Sequence, residues 1–151
     1  MIFTDLEIFP APQPTANDTG LQTLFNQIES LPSGAPVLLA VDYEPGLSGE
    51  MQMAASSVIE HLMLRDVRLA IVSTVPSGPL LAEDLLSLVH PRRNEFDLPT
   101  HVVNLGYLPG GTTSLLEFAR RPASAAPFAF DGGAVWDGPA LQCIQNIQSF
   151  A

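Results

Sequence analysis

Residues 36–64, PVLLAVDYEPGLSGEMQMAASSVIEHLML, decide the fold. Residues 37–41 form an unbroken apolar run, the pattern of a strand covered on both faces. The run stops at Asp42, and Pro45-Gly46 marks a turn. Ser48 then stands where an N-cap is expected, with Glu50 in the first helical turn beside the positive end of the helix. Met51, Ala54, Ala55, Val58 and Leu62 are expected to line the inner face of that helix, which extends to residue 64. A buried strand, a polar loop and a long helix open a parallel α/β unit. Such sheets bind ligands beyond the carboxyl ends of their strands, which puts Asp42, Tyr43, Glu44, Ser48 and Glu50 at a prospective site.

Working outward, the same pattern recurs twice. Residues 67–73 (VRLAIVS) read as a second strand, followed by a loop containing Ser73 and Thr74. A helix over residues 79–90 follows, with Ser77 as its cap, Pro79 in its first turn and Pro91 stopping it. Residues 101–105 (HVVNL) read as a third strand, then a glycine-rich turn and a helix over 112–120. Before the first strand, residues 19–31 carry an apolar stripe at helical spacing (Leu21, Leu24, Phe25, Ile28, Leu31), capped by Asn17 or Asp18. Residues 1–16 alternate apolar and acidic residues and then turn proline-rich, which fits a short edge strand or an extended arm with a stiff linker. Residues 121–138 lack any sustained period and read as an irregular excursion packed through Phe128, Phe130 and Trp136. Residues 139–150 read as a last amphipathic helix with Cys143 on its buried side.

Three successive βα units predict a single three-layer α/β domain over 1–151. Its mostly parallel sheet carries helices on both faces, Rossmann-like or flavodoxin-like in arrangement. No strand follows the last expected helix, so the chain is expected to be a segment of a longer protein, with an incomplete sheet whose exposed edge could serve assembly.

Composition narrows function. The chain has 16 acidic and 6 basic residues, and every basic residue is an arginine: Arg65, Arg68, Arg92, Arg93, Arg120 and Arg121. A formal charge of −10 with no clustered basic face argues against nucleic acid and against an anionic membrane surface. The absence of lysine excludes Schiff-base chemistry and a lysine holding a transferring phosphoryl group. A single cysteine excludes an internal disulfide and a cysteine-based zinc site. His61, His90 and His101 have no metal-binding spacing, and no G-x-S-x-G elbow is present. No signal peptide or membrane-spanning run is found, so the chain is expected to be soluble, without direct membrane insertion. No cofactor or metal is expected.

Two constellations could carry chemistry. Asp42-Tyr43-Glu44 after one strand and Ser73-Thr74 after the next resemble the first two motifs of haloacid-dehalogenase-type phosphatases. That likeness implies Asp42 as nucleophile, Glu44 as the acid and Ser73 as a phosphate holder. The departures are a glutamate for the second acid, no lysine, and no later acidic pair for magnesium, since Asp131 and Asp137 stand isolated. Asp42 ordering its loop, with Glu44 solvated, is the alternative. Gly106-Tyr-Leu-Pro-Gly110-Gly111-Thr112-Thr113 has the spacing of a phosphate-binding loop with Thr112 in the lysine position. Its amides could cradle a small anion, or the segment is a glycine turn with a threonine cap.

The segments VDYEPGLSGEM, IVSTVPSGPLLAE and VNLGYLPGG, in this order, resemble an uncharacterised bacterial family of α/β domains. The resemblance spans residues 37–118 and carries no assigned activity. It implies a domain of a larger, membrane-associated protein. The expected function is therefore a non-catalytic binding or interaction domain, extracytoplasmic in its parent, that contacts another protein or parent-chain segments. Its surface is drawn from Asp42, Tyr43, Glu44, Ser48, Glu50, Ser73, Thr74, Asn104, Gly110, Gly111, Thr112 and Thr113. The alternative is a phosphatase-like or degenerate enzyme for a phosphorylated small molecule, using Asp42, Glu44 and Ser73 in the same crevice.

Overall fold

The structure, a computed structural model, describes residues 19–151. The arm expected before α1 and its cap at Asn17 or Asp18 lie outside the described residues. The described elements run α1 (Thr19–Glu29), β1 (Pro36–Ala40), α2 (Ser48–Leu64), β2 (Arg68–Ser73), α3 (Gly78–Val89), α4 (Leu98–His101), β3 (Val102–Tyr107), α5 (Thr112–Arg120) and α6 (Pro122–Ala125). The three strands form one parallel sheet in the order β1-β2-β3. The protein is thus a small α/β fold, as the strand–loop–helix rhythm predicts.

β2 is central, and its side chains alternate between two cores. Leu69 and Ile71 join Ile28, Ile59, Leu62, Leu85 and Val89 under α1, α2 and α3. Ala70 and Val72 join Leu105, Phe118, Leu141 and Ile144 on the opposite face. Consecutive right-handed crossovers moving the same way across a sheet put their helices on one face, and α2 and α3 share a face. The chain changes face after β3, where α5 buries Phe118 in the second core.

Five expectations about local structure are corrected. Of the residues expected on the inner face of α2, Leu62 is buried and Ala55 and Val58 pack half-buried on the core, but Met51 and Ala54 are exposed and Ser56, Ile59 and Met63 are buried instead. The helix is apolar around much of its circumference, so spacing alone did not choose its inner face. Ser48 is not the N-cap: it is the first residue of α2, Leu47 caps without a side-chain bond, and the Ser48 hydroxyl donates back to the Pro45 carbonyl at 2.7 Å. The short 3-10 turn Pro45–Leu47 feeds straight into α2, so no extended residue separates loop from helix.

Residues 139–150 are not a helix either. They form turns, with Leu141 N–H on the Gly138 carbonyl and Ile144 N–H on the Leu141 carbonyl, then a single 3-10 turn Ile147–Ser149. Asn146 interrupts any longer helix by capping that turn, its side chain accepting the Gln148 N–H at 2.9 Å. Leu141 and Ile144 still reach the core, but Cys143 is exposed. In the excursion before it, Trp136 packs half-buried and donates to the Ala126 carbonyl at 2.7 Å. Phe128 and Phe130 are exposed rather than packed.

Residue types explain the turn from α2 into β2. Asp66 adopts φ +55, the left-handed conformation that L-residues other than Asn and Asp rarely take. Its N–H bonds the Met63 carbonyl and the Val67 N–H bonds the Leu62 carbonyl, a Schellman closure of the helix. The Ser33 hydroxyl donates to the Asp66 carboxylate at 2.8 Å and braces the conformation.

Polar contacts fasten α1 to α2. His61 Nε2 lies 2.7 Å from Glu29 Oε1, the His61 ring packs on Phe25, and Arg65 donates to the Leu31 carbonyl. The His61 hydrogen bond, with help from the Arg65 and His61 charges, holds the Glu29 carboxyl below its ordinary value of 4.5. A carboxyl depressed by folding stabilises the native state above its unfolded pKa, and the contribution disappears as pH falls through the folded value. Acid titration of stability should therefore show a loss beginning near pH 4.5 that is reduced in Glu29→Gln. Equal acid slopes in urea melts of the two proteins would rule this contact out as a source.

Candidate functional site

The loops after β1, β2 and β3 meet at the carboxyl end of the sheet, and Asp42 is what joins the first two. Its Oδ1 accepts the Thr74 N–H at 2.7 Å and lies 3.0 Å from the Ser73 hydroxyl; its Oδ2 accepts the Thr74 hydroxyl at 2.8 Å. Both oxygens are engaged, so this carboxylate is a brace between loops. Asp42 is itself solvent-exposed, with both oxygens on these contacts.

Ser73 is more constrained still. It is fully buried, and its single hydroxyl proton faces the Val41 carbonyl at 2.7 Å, the Val75 carbonyl at 2.9 Å and Asp42. The same oxygen accepts the Val75 N–H at 3.0 Å. Thus Ser73 ties the ends of β1 and β2 together and has no exposed oxygen for a phosphate. Gly78, the first residue of α3, closes over this knot. A Cβ there would sit 1.9 Å from the Ser73 Oγ and 2.3 Å from the Val41 carbonyl oxygen, so only glycine admits this approach.

The other expected residues divide between interior and surface. Tyr43 is in the core, where burial and the Asp84 charge raise its hydroxyl pKa. Asn104 is buried; its amide donates to the Pro79 carbonyl at 2.9 Å and to Glu83 Oε1 at 2.8 Å, and its oxygen accepts the Gly106 N–H at 3.0 Å. It clamps the irregular end of β3, where register shifts between Ile71 and Ser73 and Gly106 takes φ +83, onto the first turn of α3. Glu44, Glu50, Gly110, Gly111, Thr112 and Thr113 are exposed. Gly110 and Gly111 take φ +109 and +57, which explains the paired glycines, and α5 starts without a side-chain cap.

The sequence places Gly78 at the end of the second loop but gives no reason for the glycine, and it does not single out Glu83. Gly78 was legible only as turn punctuation, because its reason is the proximity of Ser73 and Val41. No group of three His, Cys, Asp or Glu side chains converges to hold a metal among the described residues. All six arginines lie outside residues 42–50, 73–78 and 104–113. They follow α2, α3 and α5 toward the opposite pole, where the carboxyl ends of those helices favour cations. The loop pole thus carries Asp42, Glu44 and Glu50 with no basic residue among its loops.

The chain matches no known family, no curated protein and no solved structure.

Removing the Asp42 brace should be measurable. Asp42→Ala removes the acceptor of the Thr74 N–H and hydroxyl and one of three acceptors facing the Ser73 hydroxyl; because the Thr74 contacts are open to solvent, the cost is about 0.5–1.5 kcal/mol. Urea denaturation checks this, and a change under about 0.5 kcal/mol would show that water replaces the carboxylate without penalty.

Proposed function

We propose that this chain is a non-catalytic interaction domain whose contact surface is the loop pole at the carboxyl end of the sheet. The carrying observation is the closed hydrogen-bond set of Asp42, Ser73 and Thr74, which spends the residues an enzyme would need on holding two loops in fixed relation. A second feature supports the reading. Leu47 and Met51 stand exposed close in sequence to Glu44 and Glu50, and Tyr107 is exposed at the end of β3. Apolar side chains rimmed by acidic ones suit a protein partner with an apolar centre and basic flanks. A phosphorylated small molecule is a poorer fit, since these loops supply no cation to offset its charge.

The arrangement itself we read as Rossmann-like. The strand order β1-β2-β3 and the change of face after β3 support it. On the family resemblance of residues 37–118, we place the domain in a larger membrane-associated protein, on the extracytoplasmic side. No helix among the described residues is long and apolar enough to cross a membrane.

The test couples two experiments. A photo-crosslinking residue at Leu47 or Tyr107 in the parent cell should give a discrete protein adduct, weakened by Glu44→Lys with Glu50→Lys. A thermal-shift screen with magnesium, phosphate, nucleotides and sugar phosphates should leave the melting temperature unchanged. A rise of several degrees with one of these, abolished in Asp42→Asn, would replace this reading with a small-ligand one.

A further inference from the structure

A cavity of about 290 Å³ lies at the far end of α2, against the segment between α3 and β3. The 17 residues of α2 hold it about 25 Å from the loop pole, so it is separate from the contact surface proposed above. Its volume is at the lower end of those that take small molecules.

The walls combine three kinds of side chain. Met63 and Phe96, both buried, make the apolar part. Asp66, Glu95 and Asp97 bring carboxylates, and Arg93 brings a guanidinium. Much of this lining is braced by its neighbours. Asp66 accepts the Ser33 hydroxyl at 2.8 Å, and Asp97 accepts the Thr100 hydroxyl at 2.5 Å. The His101 ring, also in the wall, is set by the Asp97 carbonyl at 3.1 Å and by Asp66 Oδ1 at 3.5 Å, and it packs on the Phe96 ring.

Arg93 differs from the arginines around it. Arg65 and Arg92 lie against Glu29 and Glu60, whereas Arg93 forms no ion pair among the described residues. Its Nε is buried and has no hydrogen-bond partner among them. A buried donor of a charged group is costly to leave unpaired, and a carboxylate is the acceptor that matches a guanidinium edge. A purely anionic ligand would meet three carboxylates here, and a purely cationic one would meet Arg93. A ligand carrying both charges on an apolar body complements all three parts of the wall.

We propose that this cavity binds a free α-amino acid with an apolar side chain. Its carboxylate pairs with Arg93, and its ammonium with Glu95, the lining carboxylate that no described side chain already engages. Its side chain rests on Met63 and Phe96. A peptide terminus is a poorer fit, because its end residue carries only one of the two charges.

An amide NMR titration of the full chain with L-leucine tests the proposal. Saturable shifts are expected at the Phe96 and His101 amides, with the Thr74 amide at the loop pole unmoved. L-Leucinamide lacks the carboxylate and 4-methylpentanoate lacks the ammonium, and each should bind at least about tenfold more weakly than leucine. Arg93→Gln should lower leucine affinity by a similar factor without weakening leucinamide. Glu95→Gln, at an exposed position, is the second variant and should weaken leucine without weakening 4-methylpentanoate. The proposal is overturned if no saturable shift appears up to about 10 mM leucine. It is overturned equally if leucinamide or 4-methylpentanoate binds as tightly as leucine, which would make the cavity a site for plain amines or plain acids.

Discussion

Gly78→Ala is expected to destabilise the protein by about 3 kcal/mol or more, lowering its melting temperature by about 10 °C. The reason is steric. The new Cβ would stand 1.9 Å from the Ser73 hydroxyl oxygen, 2.3 Å from the Val41 carbonyl oxygen and 2.5 Å from the Ser73 Cβ. One of these neighbours is backbone and another is a buried side chain fixed by four polar contacts, so neither can swing aside. Relief requires α3 to withdraw from the ends of β1 and β2, which would also stretch the Asn104 bond to the Pro79 carbonyl. The comparison variant is Gly49→Ala, where a Cβ meets nothing within 4 Å and helix propensity favours alanine. Urea melts should separate the two by sign. A Gly78→Ala protein as stable as wild type would mean that α3 does not approach the sheet this closely.

The second large effect lies on the opposite face. Leu141→Ala should cost about 2–4 kcal/mol, although the residue belongs to a turn. Leu141 is 2% exposed and packs in the cluster of Ala70, Val72, Leu105 and Phe118, where no long helix fills the space. The cover on that face is α5, the single turn α6 and the irregular stretch that follows. Truncating one of its few large buried side chains opens a cavity with little regular structure available to collapse into it. Leu116→Ala, at an exposed position of α5, should change stability by less than about 0.5 kcal/mol. Equal effects for the two would show that the segment after Gly138 does not seal the core.

These residues mark what could be read in advance. The apolar run before Asp42 and the recurrence of strand, loop and helix predicted three parallel strands and the helices between them, because those signals are local. The inner face of α2 was legible in part: Ala55, Val58 and Leu62 do pack on the core, but Met51 and Ala54 are apolar too and face outward. The last helix was expected from Leu141, Ile144 and Ile147, and the capping role of Asn146 outweighed that spacing. At the candidate site, proximity of Asp42 to Ser73 and Thr74 followed from strand order. The use of that proximity did not, because whether a carboxylate is free or engaged depends on contacts 32 residues apart.

The two poles of the domain handle charge differently. Toward the far ends of the helices, Arg65, Arg92 and Arg121 lie beside Glu29, Glu60 and Glu117, so acid and base offset one another there. On the loops, Asp42, Glu44 and Glu50 have no arginine among them. A cation approaching the loops therefore meets charge that no neighbouring arginine offsets, and added salt would weaken that attraction within about 8 Å at physiological ionic strength.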